Sequence, residues 1–135
     1  MITSEVEYLG NLRTKCIHFS SGTEILTDAP IDNQGRGDAF SPTDLVATAY
    51  ASCMITIIGI YCREHSIRFD HAKASVQKIM FADPRRIGRI VIHMDFKGNN
   101  WTELEAEKAL RAGKTCPVAK TLGDNVEVEF SIVYK

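Results

Sequence analysis

The sequence predicts an α+β fold with an antiparallel sheet, and three observations point there. Runs of alternating apolar and polar residues occur in groups of three, two and one along the chain. Helical patterns fall between those groups rather than after every strand, so helices and strands are segregated. Residues 45–62 contain no charge and no proline and read as one long central helix. At 135 residues, with 44% hydrophobic and 24% charged side chains, the chain fits a single domain, 1–135, long enough to enclose a core.

The elements follow in order. Residues 2–8 alternate Ile2, Ser4, Val6 and Tyr8 against Thr3, Glu5 and Glu7, a strand that Gly10-Asn11 turns. Residues 13–19 and 23–27 read as two further strands separated by Ser20-Ser21-Gly22, giving a meander with Arg13 near the start of its second strand. Residues 28–40 hold Pro30, Asn33, Gly35, Gly37 and three aspartates and read as a loop, of a length often given to function. Ser41-Pro42 is an N-cap followed by proline at the first helical position, with Asp44 at the positive end of the helix dipole. That helix should end near His65. Its apolar and small residues lie on every side, so it should be covered all round, and a second copy of the chain is the simplest cover.

Residues 68–82 read as a long strand bulged near Lys78-Ile79, and Asp83-Pro84 turns the chain. In the next strand, 89–97, Ile90, Ile92, Met94 and Phe96 face inward. Thr102 and Glu105 form a capping box that opens a helix over 103–113. A break and a short third helix follow at Cys116-Pro117, and the chain closes on the strand pattern Val126, Val128, Phe130, Ile132 and Tyr134.

The net charge of −1 gives no footprint for nucleic acid or an anionic membrane surface. The uncharged stretch approaches the ~20 residues a bilayer span needs, but Thr48, Ser52, Thr56 and Gly59 dilute it, so a buried helix is expected rather than a membrane segment. No charged-then-apolar leader opens the sequence, and a cytoplasmic location is expected. The histidines, His18, His65, His71 and His93, show no metal-ligand spacing.

Four cysteines occur, Cys16, Cys53, Cys62 and Cys116, and none forms a CxxC pair. Cys53 and Cys62 are nine residues apart, about two and a half helical turns, so they point to opposite sides of one helix and cannot be bridged. Cys116 precedes Pro117; if it caps the third helix, free N–H groups aim at its sulfur, a setting that lowers a thiol's pKa. Cys53 is mid-helix and lacks such N–H groups, so reactivity there requires a nearby cation, Arg13 or Arg36. A carboxylate such as Asp44 could hold that arginine. Tyr50, Met54 and Ile57, near Cys53 in the sequence, would form an apolar pocket.

The pattern SPTDLVATAYASC, followed about sixty residues later by KTCPVAKTL, resembles the OsmC/Ohr family of osmotically inducible and organic hydroperoxide resistance proteins. The segment GNNWTELEAEKALRAGKTCPVAKTL with the closing strand carries the same likeness, which covers essentially the whole chain. The resemblance implies an OsmC-like fold: two intertwined subunits with long helices at the centre and antiparallel sheets wrapped outside. It implies a thiol peroxidase in which Cys53 is peroxidatic and Cys116 resolving, with Arg13 and Asp44 as activating residues. Neither metal nor flavin is implied; the expected partners are a second copy of the chain, an organic hydroperoxide and an external dithiol, as on a dihydrolipoyl protein. Members of the peroxidase group carry Asn-Pro-Glu where this chain has Ser41-Pro42-Thr43. The alternative is therefore a stress-response or ligand-binding domain with little peroxidase activity.

Overall fold

The computed structural model describes every residue, Met1–Lys135. The order is β1 (Ser4–Gly10), β2 (Arg13–His18), β3 (Glu24–Asp28), α1 (Pro42–Glu64), β4 (Lys73–Phe81), β5 (Arg86–Asp95), α2 (Glu103–Gly113), α3 (Pro117–Leu122) and β6 (Glu127–Val133), as the sequence predicts. Short 3-10 turns stand at Ile31–Asn33 and Gly123–Asn125. The chain forms two compact units, Met1–Val46 and Ala47–Lys135, whose boundary falls inside α1.

In the first unit β1, β2 and β3 form an antiparallel meander. Gly10, Asn11 and Leu12 all take positive φ at the β1–β2 turn, and Gly22 does so at the next. The register sets Val6, Cys16 and Ile25 side by side on one face and places Arg13 directly opposite Asp28. The loop beyond β3 folds back on it: the Asp28 N–H donates to the Phe40 carbonyl (3.0 Å) and the Ala29 N–H to that of Leu12 (3.0 Å). A side chain at Gly35 would meet the Ala29 carbonyl at 1.7 Å, so only glycine fits there. The loop ends in a reciprocal cap, with the Ser41 N–H donating to Asp44 Oδ2 (2.9 Å) and the Asp44 N–H to Ser41 Oγ (3.0 Å). Ser41 is the N-cap and Asp44 serves the role a glutamate plays in the usual capping box.

In the second unit the sheet order is β4-β5-β6. β4 and β5 are antiparallel, with a bulge between Ile79 and Met80. β6 corrects the expectation of a purely antiparallel sheet, because it pairs parallel to β5. The helical crossover through α2 and α3 returns the chain in the same direction, as parallel strands require. β4 also starts later than the predicted residue 68. The backbone of Asp70 and His71 is held by the buried Asn99 side chain (2.8 and 3.1 Å), and the Trp101 indole N–H donates to the Arg68 carbonyl (2.6 Å), so these groups are not free for a strand partner.

The core of this unit joins Ala47, Tyr50, Ala51, Met54, Ile58 and Cys62 of α1 to Ile90, Ile92 and Met94 of β5, with Phe96, Trp101, Ala106 and Ala109. Ile90, Ile92, Met94 and Phe96 are fully buried, as their alternation predicts. Gly113 lets α2 approach α1 closely, since a Cβ there would lie 3.0 Å from Ile58. α1 is long and apolar enough to cross a membrane by length and composition. Its covered residues form one stripe, however, while Val46 and Ile60 are 37% and 47% exposed, so a single chain does not supply the all-round cover expected for it.

Candidate functional site

The site is built outward from two sulfurs. Cys53 sits at the middle of α1, partly buried, and Cys116 caps α3 and is fully buried. Cys53 packs against the core cluster that contains Cys116, close enough to raise the Cys116 thiol although about sixty residues separate them. All four cysteines are free thiols. Cys62 is turned into the core, where burial pushes its thiol up, and Cys16 stands partly buried on the first sheet.

The Cys116 backbone is extended (φ −63°, ψ 149°), Pro117 begins the helix, and Cys116 Sγ accepts the Ala119 N–H at 3.4 Å. The N-cap geometry is the predicted one, but its electrostatic consequence is reversed. Burial pushes the Cys116 thiol up, its contact and like charge with Cys53 add to the rise, and the Ala119 and Val118 N–H groups offset only part of it. A sulfur with no exposed surface loses more to desolvation than two N–H groups return. Cys116 is therefore held as a thiol, while Cys53 is the sulfur of the pair that solvent can reach.

Tyr50 is buried one turn before Cys53, with its ring 6.1 Å from that of Phe130. Burial raises its phenol, and charge on Cys116 adds to the effect. Lys114 lies with its Nζ 5.5 Å above the Phe130 ring. Met54 is fully enclosed, with its methyl group among the atoms nearest Gly113, so it backs the site rather than opening onto solvent. Ile57 is partly buried on the same helix.

Arg13 and Asp44 both lie in the first unit and do different things. Arg13 Nε and Nη2 donate to the two oxygens of Asp28 at 2.7 and 3.0 Å, and Asp38 Oδ2 is 4.0 Å away. Asp28 is 1% exposed and also accepts the Asp38 N–H (3.0 Å), while Arg36 pairs with Asp38 (3.1 Å). The hydrogen bonds to Asp28 raise the Arg13 guanidinium further, and those same bonds hold the Asp28 carboxyl below the usual range. Thus Asp28 carries the bidentate grip on Arg13 for which Asp44 was expected, and Asp44 closes the helix cap. The signal for Asp28 lay in the hairpin register: a turn at Ser20–Gly22 sets residue 13 opposite residue 28. No three His, Cys, Asp or Glu side chains gather to suit a metal ion.

Comparison with known proteins bears on this arrangement. Residues 35–131 match the family described as OsmC-like protein. The chain superposes on a candidate osmotic stress induced and detoxification response protein of Psychrobacter arcticus with a TM-score of 0.93 at 46% identity, covering 98% of this chain and 96% of the other. The organic hydroperoxide resistance protein OsmC of Legionella pneumophila shares the fold at TM-score 0.77 and 20% identity, over 98% and 97% of the two chains. A candidate organic hydroperoxide resistance protein of Vibrio cholerae, with captopril bound in one of its active sites, does so at 0.77 and 15%, over 98% and 92%. No protein of curated function matches the sequence. With more than half of its length matched by the family and a relative at 46% identity over nearly all of it, the chain belongs to the OsmC-like protein family.

Proposed function

We propose that this protein is a thiol-dependent peroxidase for organic hydroperoxides, with Cys53 as the attacking and Cys116 as the resolving cysteine. The observation that carries the proposal is the packing of a reachable Cys53 against the core cluster that holds a fully buried Cys116 kept as a thiol. The Cys53 thiolate attacks the O–O bond of the hydroperoxide; the alkoxide leaves, takes a proton to become the alcohol, and Cys53 becomes a sulfenic acid. Cys116 then displaces the sulfenic oxygen as water and a Cys53–Cys116 disulfide forms. An external dithiol, such as a dihydrolipoyl group on a cytoplasmic protein, reduces that disulfide through a mixed-disulfide intermediate and returns both thiols.

Arg13 is the cation proposed to favour the thiolate and to orient the peroxide, and its bidentate pairing with Asp28 supports that role by fixing the guanidinium plane. Asp44 contributes by capping the helix that carries Cys53. Tyr50, with Ile57 and with Met54 behind them, supplies an apolar wall for an alkyl group. The homodimer is proposed on two uncovered apolar surfaces: Val46 and Ile60 on α1, and Val6, Tyr8 and Ile25 on the first sheet, which are 65%, 64% and 46% exposed. A stress-response domain with little peroxidase activity is the second reading. It is favoured by Thr43, whose hydroxyl lies 3.2 Å from Ser41 Oγ where the peroxidase pattern has a glutamate.

Peroxide consumption with a dithiol reductant decides between them. The wild type is expected to turn over cumene hydroperoxide, Cys53→Ser to lose turnover, and Cys116→Ser to stop after about one equivalent. Equal turnover by wild type and Cys53→Ser would overturn the assignment.

A further inference from the structure

The second unit carries a cleft that the chemistry above does not use. It lies between the last turns of α1 and α2, is lined by Tyr61, Lys108, Arg111, Ala112 and Thr115, and has a volume of about 380 Å³. Its wall is mainly apolar. Tyr61 is eight residues beyond Cys53, about 12 Å further along the helix, so the aromatic wall of the cleft lies away from the Cys53 sulfur. His65 stacks on the Tyr61 ring with centroids 4.0 Å apart and bonds through Nδ1 to the Tyr61 carbonyl (2.9 Å), which braces the aromatic side of the cleft. The close seat of Gly113 on Ile58 fixes the distance between the two helices.

We infer that this cleft binds a small amphipathic carboxylate, apolar body against Tyr61 and Ala112, carboxylate between Lys108 and Arg111. The two cations are three residues apart and so share one side of α2. Both side chains are exposed, and neither has an ion-pair or hydrogen-bond partner within the chain. From residue 108 to residue 120 the sequence holds Lys108, Arg111, Lys114 and Lys120 and no acid, although the whole chain has a net charge of −1. Complementing the negative end of the helix dipole accounts for basic residues late in α2. It does not account for two of them lining the same apolar cleft unpaired.

The donor set narrows the ligand further. A guanidinium offers a planar fork matched to a carboxylate, and an ammonium adds a second charge-assisted hydrogen bond. Thr115 spends its hydroxyl proton on the Ala112 carbonyl (2.7 Å), so it adds no donor for the anion. The volume is at the small end of ligand sites, which suits a medium-chain or aromatic acid and not a large cofactor.

The test is NMR titration of the full-length protein with octanoate, 1-octanol and octylamine, three probes of one body and different heads. Octanoate should bind about tenfold or more tighter than octanol, the gain expected of charge-assisted hydrogen bonds, and octylamine weakest of the three. Its shifts should centre on Tyr61, Lys108, Ala112 and Thr115. The double variant Lys108→Gln/Arg111→Gln should lower octanoate affinity to that of octanol while leaving octanol binding unchanged, which also reports that the cleft remains folded. Equal affinity for octanoate and octanol, wild-type octanoate affinity in the double variant, or shifts centred elsewhere would each overturn the inference. Titration of Cys53→Ser with the same probes separates this site from the peroxide chemistry, since its octanoate affinity should equal that of the wild type.

Discussion

At the residue scale, the two sulfurs have opposite requirements. In the proposed peroxidase the attacking sulfur must be reachable, and Cys53 is only partly buried; the resolving sulfur would be needed only after oxidation, and Cys116 is enclosed and kept protonated. Helix capping alone would have suggested the reverse, because a sulfur facing N–H groups reads as the activated one. Burial decides the sign, and burial is not written in a local motif. Asp28 shows the same thing from the acid side. Its carboxyl is held below the ordinary value of about 3.9 by the Arg13 hydrogen bonds. A depressed carboxyl stabilises the fold above its unfolded value, and that contribution is lost as pH falls through the lower folded value. Asp28→Asn should therefore be less stable than wild type near neutrality and show a flatter loss of stability below about pH 4. Thermal melts from pH 7 to pH 2 check this; parallel curves for the two proteins would contradict it.

At the scale of elements, what was legible is what local chemistry specifies. α2 runs Glu103–Gly113 as predicted because Thr102 and Glu105 cap each other at its start, with the Thr102 N–H donating to Glu105 (2.9 Å) and the Glu105 N–H to Thr102 (3.1 Å). Removing that cap by Thr102→Ala should cost about 1 kcal/mol, read as a fall in Tm of a few degrees with cysteine reactivity unchanged. The start of α1 was legible for the same reason, since Ser41, Pro42 and Asp44 are a local signal. What was not legible depends on distant partners. Period-two alternation reveals that β6 is a strand but not that it runs parallel to β5, and the late start of β4 depends on Asn99 and Trp101 about thirty residues away. The Arg13–Asp28 pair lay between these cases, readable from the hairpin once its register is counted.

At the scale of the whole molecule, the unfinished surfaces are the informative ones. A helix uncharged over residues 45–62 that a single chain covers on one side, and a three-stranded sheet that leaves Val6, Tyr8 and Ile25 exposed, are surfaces a second copy would cover. Sedimentation should therefore give twice the chain mass of 15.0 kDa, and Ile60→Lys, which sets a charge on the open side of α1, should shift the population toward the single chain. A wild type that sediments as one chain would contradict this.

The central claim is that Cys53 and Cys116 form one redox couple, and peptide mapping after stoichiometric hydroperoxide tests it most directly. One equivalent of cumene hydroperoxide should yield a Cys53–Cys116 cross-linked peptide, with Cys16 and Cys62 unmodified, and a dithiol should reverse it. Peroxide consumed with Cys116 still free, or a disulfide that joins Cys53 to any other cysteine, would contradict the account.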